Sequence, residues 1–353
     1  MDLSDLAKRP TEWLRGTGHM SDVVISSRVR LARNLAGMPF LGRCNSDQTA
    51  EVELRLRDTI LHAGLADETI YVDIAESEDI DRGLLVERHL ISRQHANSVH
   101  PRGVAFSQRE TLAIMVNEED HLRLQVLRSG LELDQAVEEA MNADNWLEES
   151  LSFAFHRKYG YLTACPTNVG TGLRISVMLH LPALKMTGEI EKVFRAAHDM
   201  RLAIRGLYGE GTEATGDFFQ ISNQTTLGKS EDQIVREFCV DTLPHIIDYE
   251  RRARDVLLTK RAIAVDDRVE RSLAVLHAAK LISSDETMYL LSLVRMGITL
   301  GRCSDLDLAT VNELFLMTQP AHLQKMLGRE LEPLERAEAR ATFIRQRIDA
   351  AGQ

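Results

Sequence analysis

Cysteine is scarce, and the few present are scattered. Cys44, Cys165, Cys239 and Cys303 lie far apart in 353 residues with no C-x-x-C pair. That spacing indicates neither a disulfide framework nor a zinc site, and reduced thiols are the default. Long apolar runs are missing too. No stretch approaches the roughly 18 residues that a membrane span needs, and the polar start MDLSDLAKRPTEW has no signal-peptide pattern, so a cytoplasmic protein with no membrane role is expected. Positive charge is in deficit: 42 Lys and Arg against 53 Asp and Glu leave −11, which argues against a general nucleic-acid binder. The common phosphate-binding signatures are absent as well. The chain has no G-x-x-x-x-G-K-[ST], and no kinase-type Gly-rich loop with a downstream H-R-D and D-F-G. His95 and His100 in HANSVH lack a third partner, so no protein-held metal is expected.

What is present divides into two textures. Hydrophobic residues at 44% and charged residues at 27% are ordinary globular material, and the length suits two domains. Up to about residue 229, short β-branched or alternating runs are punctuated by Gly and Pro. In GLRISVMLHLP, Leu173, Ile175, Val177 and Leu179 alternate with Arg174, Ser176, Met178 and His180, the period-two pattern of a strand. Helical spacing appears between such runs, as in TAEVELRLRDTILHAGL and DQAVEEAMNADNWLEESL. The expected fold class of residues 1–229 is therefore α+β, an antiparallel β-sheet flanked by helices. From Ser230 the pattern becomes wholly helical. SEDQ at 230–233 fits a capping box and SSDE at 283–286 offers another, so residues 230–353 are expected to form an all-helical C-terminal domain. Apolar segments such as TMYLLSLVRMGI fit either packing inside that domain or burial against a second copy, hence a homodimer.

Arginines recur in unusual company in the first part. SSRVR sets Arg28 and Arg30 two apart on an expected strand, so both point to one face. Arg123 follows Glu119 by four residues in VNEEDHLR, Arg174 follows the turn NVGTG, and Arg205 opens RGLYGEGTEATG with Glu210 inside it. Several guanidinium forks converging on one site can neutralise a polyphosphate without a Walker loop. Carboxylates beside such a site would repel phosphate unless a cation also binds there, which points to a guanidinium or amine as phosphoryl acceptor. A guanidinium has no lone pair to attack with. Removing its proton near neutral pH costs roughly 8 kcal/mol, and two carboxylates gripping the fork, one accepting the proton, would lower that cost.

The stretches SSRVRLARN, VNEEDHLR, CPTNVGTGLRISV and RGLYGEGTEATGDFFQISNQ, within residues 26–223, closely resemble the ATP:guanido phosphotransferase family. The resemblance implies an ATP-binding kinase acting on a guanidinium, with Mg²⁺ arriving on the nucleotide. It implies that Arg28, Arg30, Arg123, Arg174 and Arg205 hold the nucleotide phosphates, within contact stretches Ser26, Ser27 and Val29; Ile175, Ser176, Val177 and Met178; and Gly206, Leu207, Tyr208, Gly209 and Glu210. His89 in LVERHLIS resembles the family's nucleotide-contacting histidine. Glu119 and Glu210 resemble the catalytic acids, and Cys165 the thiolate lying against the substrate guanidinium.

Small-molecule members carry a helical domain of about a hundred residues before S-R-V-R, whereas 25 residues precede Ser26 here and helices follow the catalytic part. This order is similar to the bacterial protein-arginine kinases. It implies protein substrates marked for a Clp-type protease, and raises the possibility of an activator protein. A kinase for free arginine or another small guanidine, and a silent phosphoarginine-binding adaptor, are the alternatives. In that branch a final R-D-x-x-R-A motif resembles an allosteric phosphoarginine pocket. Here it reads RAEARA, so Arg336 and Arg340 remain as phosphate contacts while Ala337 replaces the acid.

Overall fold

In the computed structural model, residues 3–62, 64–65, 68–207 and 215–351 are described. The strands are β1 (Val24–Arg33), β2 (Thr69–Asp73), β3 (Gly103–Ser107), β4 (Leu112–Val116), β5 (Leu122–Ser129), β6 (Phe155–His156), β7 (Gly160–Tyr161), β8 (Leu173–His180), β9 (Leu202–Arg205) and β10 (Phe218–Asn223). Eight of them form one antiparallel sheet in the order β2-β3-β4-β5-β1-β8-β10-β9, while β6 and β7 make a separate hairpin.

Register decides which face each side chain meets. β1 pairs with β5 on one side and β8 on the other, setting Val29 opposite Val126 and Ile175, and Leu31 opposite Leu124 and Leu173. All six are fully buried, and each contributes roughly 1.5–3 kcal/mol by leaving water. The helices Ser46–His62 and Leu133–Glu148 close this face through Val52, Leu56 and Ile60, and through Ala136, Ala140 and Leu147. On the opposite face a smaller core covers β3 and β4: Val104, Phe106 and Met115 pack with Leu85, Leu90 and Ile91. That cover belongs to the helix Asp79–Glu87 and the turn after it, and it leaves the middle of the sheet to polar side chains.

Past β10 the chain is helical, as its pattern implies. Ser230 and Gln233 form the expected capping box, and the Ser283 side chain accepts from the Glu286 amide at 3.1 Å. The helix Leu243–Ala278 covers most of the apolar stretches at 234–258 and 265–282, with a break in helical backbone at Arg261. The apolar helix Ser284–Thr299 is buried along Leu290–Gly297 within this chain.

Buried charge joins the sheet to these helices. Glu250 receives the Ala183 and Leu184 amides at 3.2 and 3.0 Å and pairs with Arg254 at 2.8 Å. Arg254 also donates to the carbonyls of Asp22 and His180. Arg295 donates to the Ser21 carbonyl at 2.6 Å and contacts His180 Nδ1 at 2.9 Å. Burial and neighbouring Arg254 depress the Arg295 pKa to about 9, yet each guanidinium is surrounded by acceptors.

Candidate active site

Strand alternation and register gather the arginines. Arg28 and Arg30 share a face of β1, Arg174 lies opposite Arg30 on β8, and Arg123 lies opposite Ala32 on β5. Ser176 faces Arg28, Gln220 faces Met178 from β10, and Arg205 faces Gln220 from β9, so the same side of the sheet carries all five arginines. They line one cleft of about 550 Å³, whose walls include His89, Glu118, Glu119 and Cys165.

The floor of this cleft is electrostatically uncomfortable. Burial, followed by repulsion from Arg123, Arg174 and Arg205, lowers Arg28 to about 9. Arg30 is pushed well below its ordinary value by burial, then by Arg28, Arg123 and Arg174, with Glu118 opposing. Arg28 donates to Gln220 Oε1 at 2.6 Å. Among the described residues, Arg30 Nε and Nη2 are buried with no acceptor. Unmet buried guanidinium donors facing a cavity fit an anion with several oxygens.

The β4–β5 hairpin explains its three consecutive acids. Asn117, with φ of 60°, turns the chain, and its side-chain amide donates to the Thr49 and Pro101 carbonyls. Glu118 is buried; it pairs with Arg123 at 2.6 Å and receives Ser92 Oγ at 2.6 Å and the Glu119 amide at 2.9 Å. Burial alone would raise its pKa, but Arg123, Ser92 and His95 outweigh that and hold it below the ordinary value. Glu119 differs. Its side chain is 36% exposed and 3.4 Å from Arg123, and burial with the neighbouring acids raises its pKa despite that arginine. Asp120 points the other way, taking the Asn34 side-chain amide and the Ala164 backbone amide at 2.6 Å each. One acid anchors an arginine, one faces the cleft, and one fixes the loop before Cys165.

Cys165 lies at the start of a short turn, with Sγ 3.0 Å from Thr167 Oγ1. The glycines after it are required by close approach: at Gly172, φ is +66° and an added Cβ would sit 2.6 Å from Arg33 Nη1 and 2.7 Å from the Ala32 carbonyl. His89 also has positive φ, stacks edge-on with Trp13 at 4.4 Å, and is depressed to about 3 by burial, Arg28 and Arg93. A neutral imidazole therefore faces the cleft.

Several expected contacts lie elsewhere. Ser27, Val29, Ile175 and Val177 fall on the alternate positions of their strands and point into the core; Ser27 Oγ donates to the Gly130 carbonyl at 2.8 Å. Ser26, Ser176 and Met178 do share the arginine face, beside the cleft with Trp13 and His89. Leu207 lines the cleft and Gly206 precedes it, while Tyr208, Gly209 and Glu210 lie outside the described residues. Arg340 is buried, donating to the Thr318 and Ile282 carbonyls, and Arg336 donates to the Leu331 carbonyl. His95 and His100 contact the Gly103 and Asn117 carbonyls at 3.0 and 2.8 Å. Ser92, Glu118 and Gln220 were not singled out beforehand. Ser92 and Gln220 act through Glu118 and Arg28, 26 and 192 residues away, whereas Glu118 lies in the same motif as its partner Arg123 and is told from Glu119 only by its burial.

An antiparallel sheet bearing convergent arginines and an exposed carboxylate defines a phosphoryl-transfer class of site that has no P-loop. The model of the ATP:guanido phosphotransferase C-terminal catalytic domain matches residues 51–253, and that of the protein-arginine kinase McsB C-terminal domain matches residues 262–353. The protein-arginine kinase of Halothermothrix orenii is 47% identical over 350 residues, covering 99% of this chain and all of that protein. That of Bacillus subtilis is 41% identical, covering 96% of this chain and 93% of that one. Among solved structures, lombricine kinase matches with a TM-score of 0.57 at 26% identity over 69% of this chain and 71% of that chain. The duplicated taurocyamine kinase of Schistosoma mansoni, with bound transition-state analogue components, gives 0.60 at 29% over 70% of this chain and 35% of that one. The chain belongs to the ATP:guanido phosphotransferase family, in its protein-arginine kinase branch.

Proposed function

We propose that this protein transfers the γ-phosphoryl group of ATP to the guanidinium of arginine residues in proteins. The observation that carries the reading is the set of five arginines on one sheet face, with buried Arg30 donors unmet beside the exposed carboxylate of Glu119. In the assignment, Arg28, Arg30, Arg123, Arg174 and Arg205 grip the phosphates and His89 packs as a neutral ring against the nucleotide. Glu119 and Glu210 hold the incoming fork, and Cys165 Sγ lies against it.

The chemistry balances simply. The arginine nitrogen attacks phosphorus in line, the N–P bond forms as the bond to the leaving ADP oxygen breaks, and the proton released from nitrogen passes to a carboxylate. Glu119 suits the proton transfer because its pKa is raised toward the working range. Glu118 is already engaged by Arg123 and Ser92, and serves to position Arg123. Mg²⁺ enters in this reading as the ion carried by ATP, neutralising phosphate charge. Residues 1–229 form the catalytic unit in this reading and 230–353 the helical one. Homodimerisation, an activator protein and delivery of marked substrates to a Clp-type protease in the cytoplasm are carried over from the branch. Among the described residues no helix is long and apolar enough to cross a membrane.

The test is incubation with ATP·Mg²⁺ and an arginine-rich protein, followed by mass spectrometry under non-acidic conditions. An acid-labile, base-stable phosphate on arginine is expected, lost in Glu119→Gln and Glu210→Gln. Acid-stable phosphate on Ser or Tyr, or turnover of free arginine as fast as protein, would overturn the reading.

A further inference from the structure

A second cavity lies away from the cleft and shares no lining residue with it. It measures about 660 Å³ and runs between the helix Ile190–Asp199 and the first half of the helix Leu243–Ala278. Its floor is apolar, made of buried Leu184, Val193, Ala253 and Leu257. Tyr249 and Val256 stand on its lip 48% and 45% exposed. The rim is basic. Lys192, Arg252, Lys260 and Arg261 line it against a single acid, Glu189, so four cations less one anion leave +3 in a chain whose net charge is −11. Glu189 is already paired with Lys192 at 2.6 Å.

We propose that this groove docks an acidic amphipathic helix of a partner protein. An apolar floor with a basic rim is complementary to a ligand with an apolar stripe and carboxylates beside it. Both walls are helices whose backbone groups are bonded within the helix, which leaves no open strand edge for an extended peptide to join. Ridges of a third helix fit the channel between two others. A second copy docking by the same face would set basic rim against basic rim, because a two-fold contact is self-facing. The partner occupies the helical side of the molecule and leaves the cleft open to substrate.

The experiment uses the full chain and a labelled helical peptide with leucines at i, i+3, i+4 and i+7 and glutamates elsewhere. Two controls share its length: the same stripe with lysines replacing the glutamates, and a scrambled acidic sequence of identical composition. Fluorescence anisotropy should show the acidic amphipathic peptide binding at least about ten-fold tighter than either control. The double variant Arg252→Glu with Lys260→Glu should weaken it about ten-fold and favour the lysine peptide. Val256→Asp should weaken it as well, with melting temperature and kinase activity at parental values confirming that these variants fold. Binding equal to the scrambled control, or insensitive to all three substitutions, overturns the proposal. So does concentration-dependent self-association abolished by Val256→Asp without peptide binding, which would make the face a contact between copies. Val256-dependent sedimentation with phosphatidylserine vesicles without peptide binding also overturns it, in favour of a lipid surface.

Discussion

Two clusters of buried arginine stand in this molecule, and they are satisfied differently. At the junction with the helices, Arg254 and Arg295 are desolvated but meet carbonyls, a carboxylate and an imidazole. In the cleft, Arg28 and Arg30 are desolvated beside other arginines, and Arg30 has two buried donors with no acceptor. Arg28 and Arg295 are both depressed to about 9 and in each case burial is the leading cause, so a shifted pKa alone does not separate a structural arginine from a ligand-binding one. The hydrogen bonds separate Arg30, whose buried donors are unmet, whereas Arg28 already donates to Gln220. A cation whose donors are met inside the fold supports the fold, whereas one left unmet destabilises the resting protein and stabilises a bound anion.

Substitution breaks the comparison most sharply at Arg254. Arg254→Met leaves Glu250 buried without its cation and should cost about 3–5 kcal/mol of unfolding free energy in urea titration. A cost below about 1 kcal/mol would mean the junction does not depend on the pair. Arg30→Met should do the reverse. Its kcat/KM for arginine phosphorylation should fall roughly 10²–10³-fold, about 2.7–4 kcal/mol, while unfolding free energy stays at or above the parent's. A large stability loss there would place Arg30 with the structural cluster.

The hairpin acids give a finer contrast. Glu118 is held below its ordinary 4.5, so its stabilisation is present above that pH and is lost as pH falls through the folded-state value. Glu118→Gln should cost about 1–3 kcal/mol at pH 7 and the difference should shrink in acid, as read from melts at pH 7 and pH 4. Glu119 is raised above 4.5, so ionising it disfavours the folded state and its contribution worsens as pH rises through that range. Glu119→Gln should therefore raise unfolding free energy slightly at pH 7, by less than about 0.5 kcal/mol after solvent screening, while removing activity. Equal shifts for the two variants would erase the distinction between them.

Local pattern made much of this readable. Alternation in SSRVR and GLRISV, together with a sheet, is enough to put Arg28, Arg30 and Arg174 on arginine-bearing faces, and the capping residue Ser230 marks the change of texture. Taking motifs whole was less sound. The same alternation sends Ser27, Val29, Ile175 and Val177 to the core, and it turns Arg33 away from its neighbours to pair with Asp144 at 2.6 Å. Partners supplied by distant segments were not legible. Ser92 meets Glu118 across 26 residues and Gln220 meets Arg28 across 192, and only the folded register brings them together. Helical spacing after Ser230 gave the texture but no boundaries: the helix Leu243–Ala278 passes through Arg261, where the backbone departs from helical values without ending the element.

The bond from the Ala164 amide to Asp120 has a consequence for selectivity. On the proposed assignment, Glu119 and Cys165 are the jaws of a caliper, and Asp120 is the screw that sets the gap. Admission of a flat fork rather than a single ammonium could then be retuned at a residue that never meets the substrate, with both jaws left chemically intact.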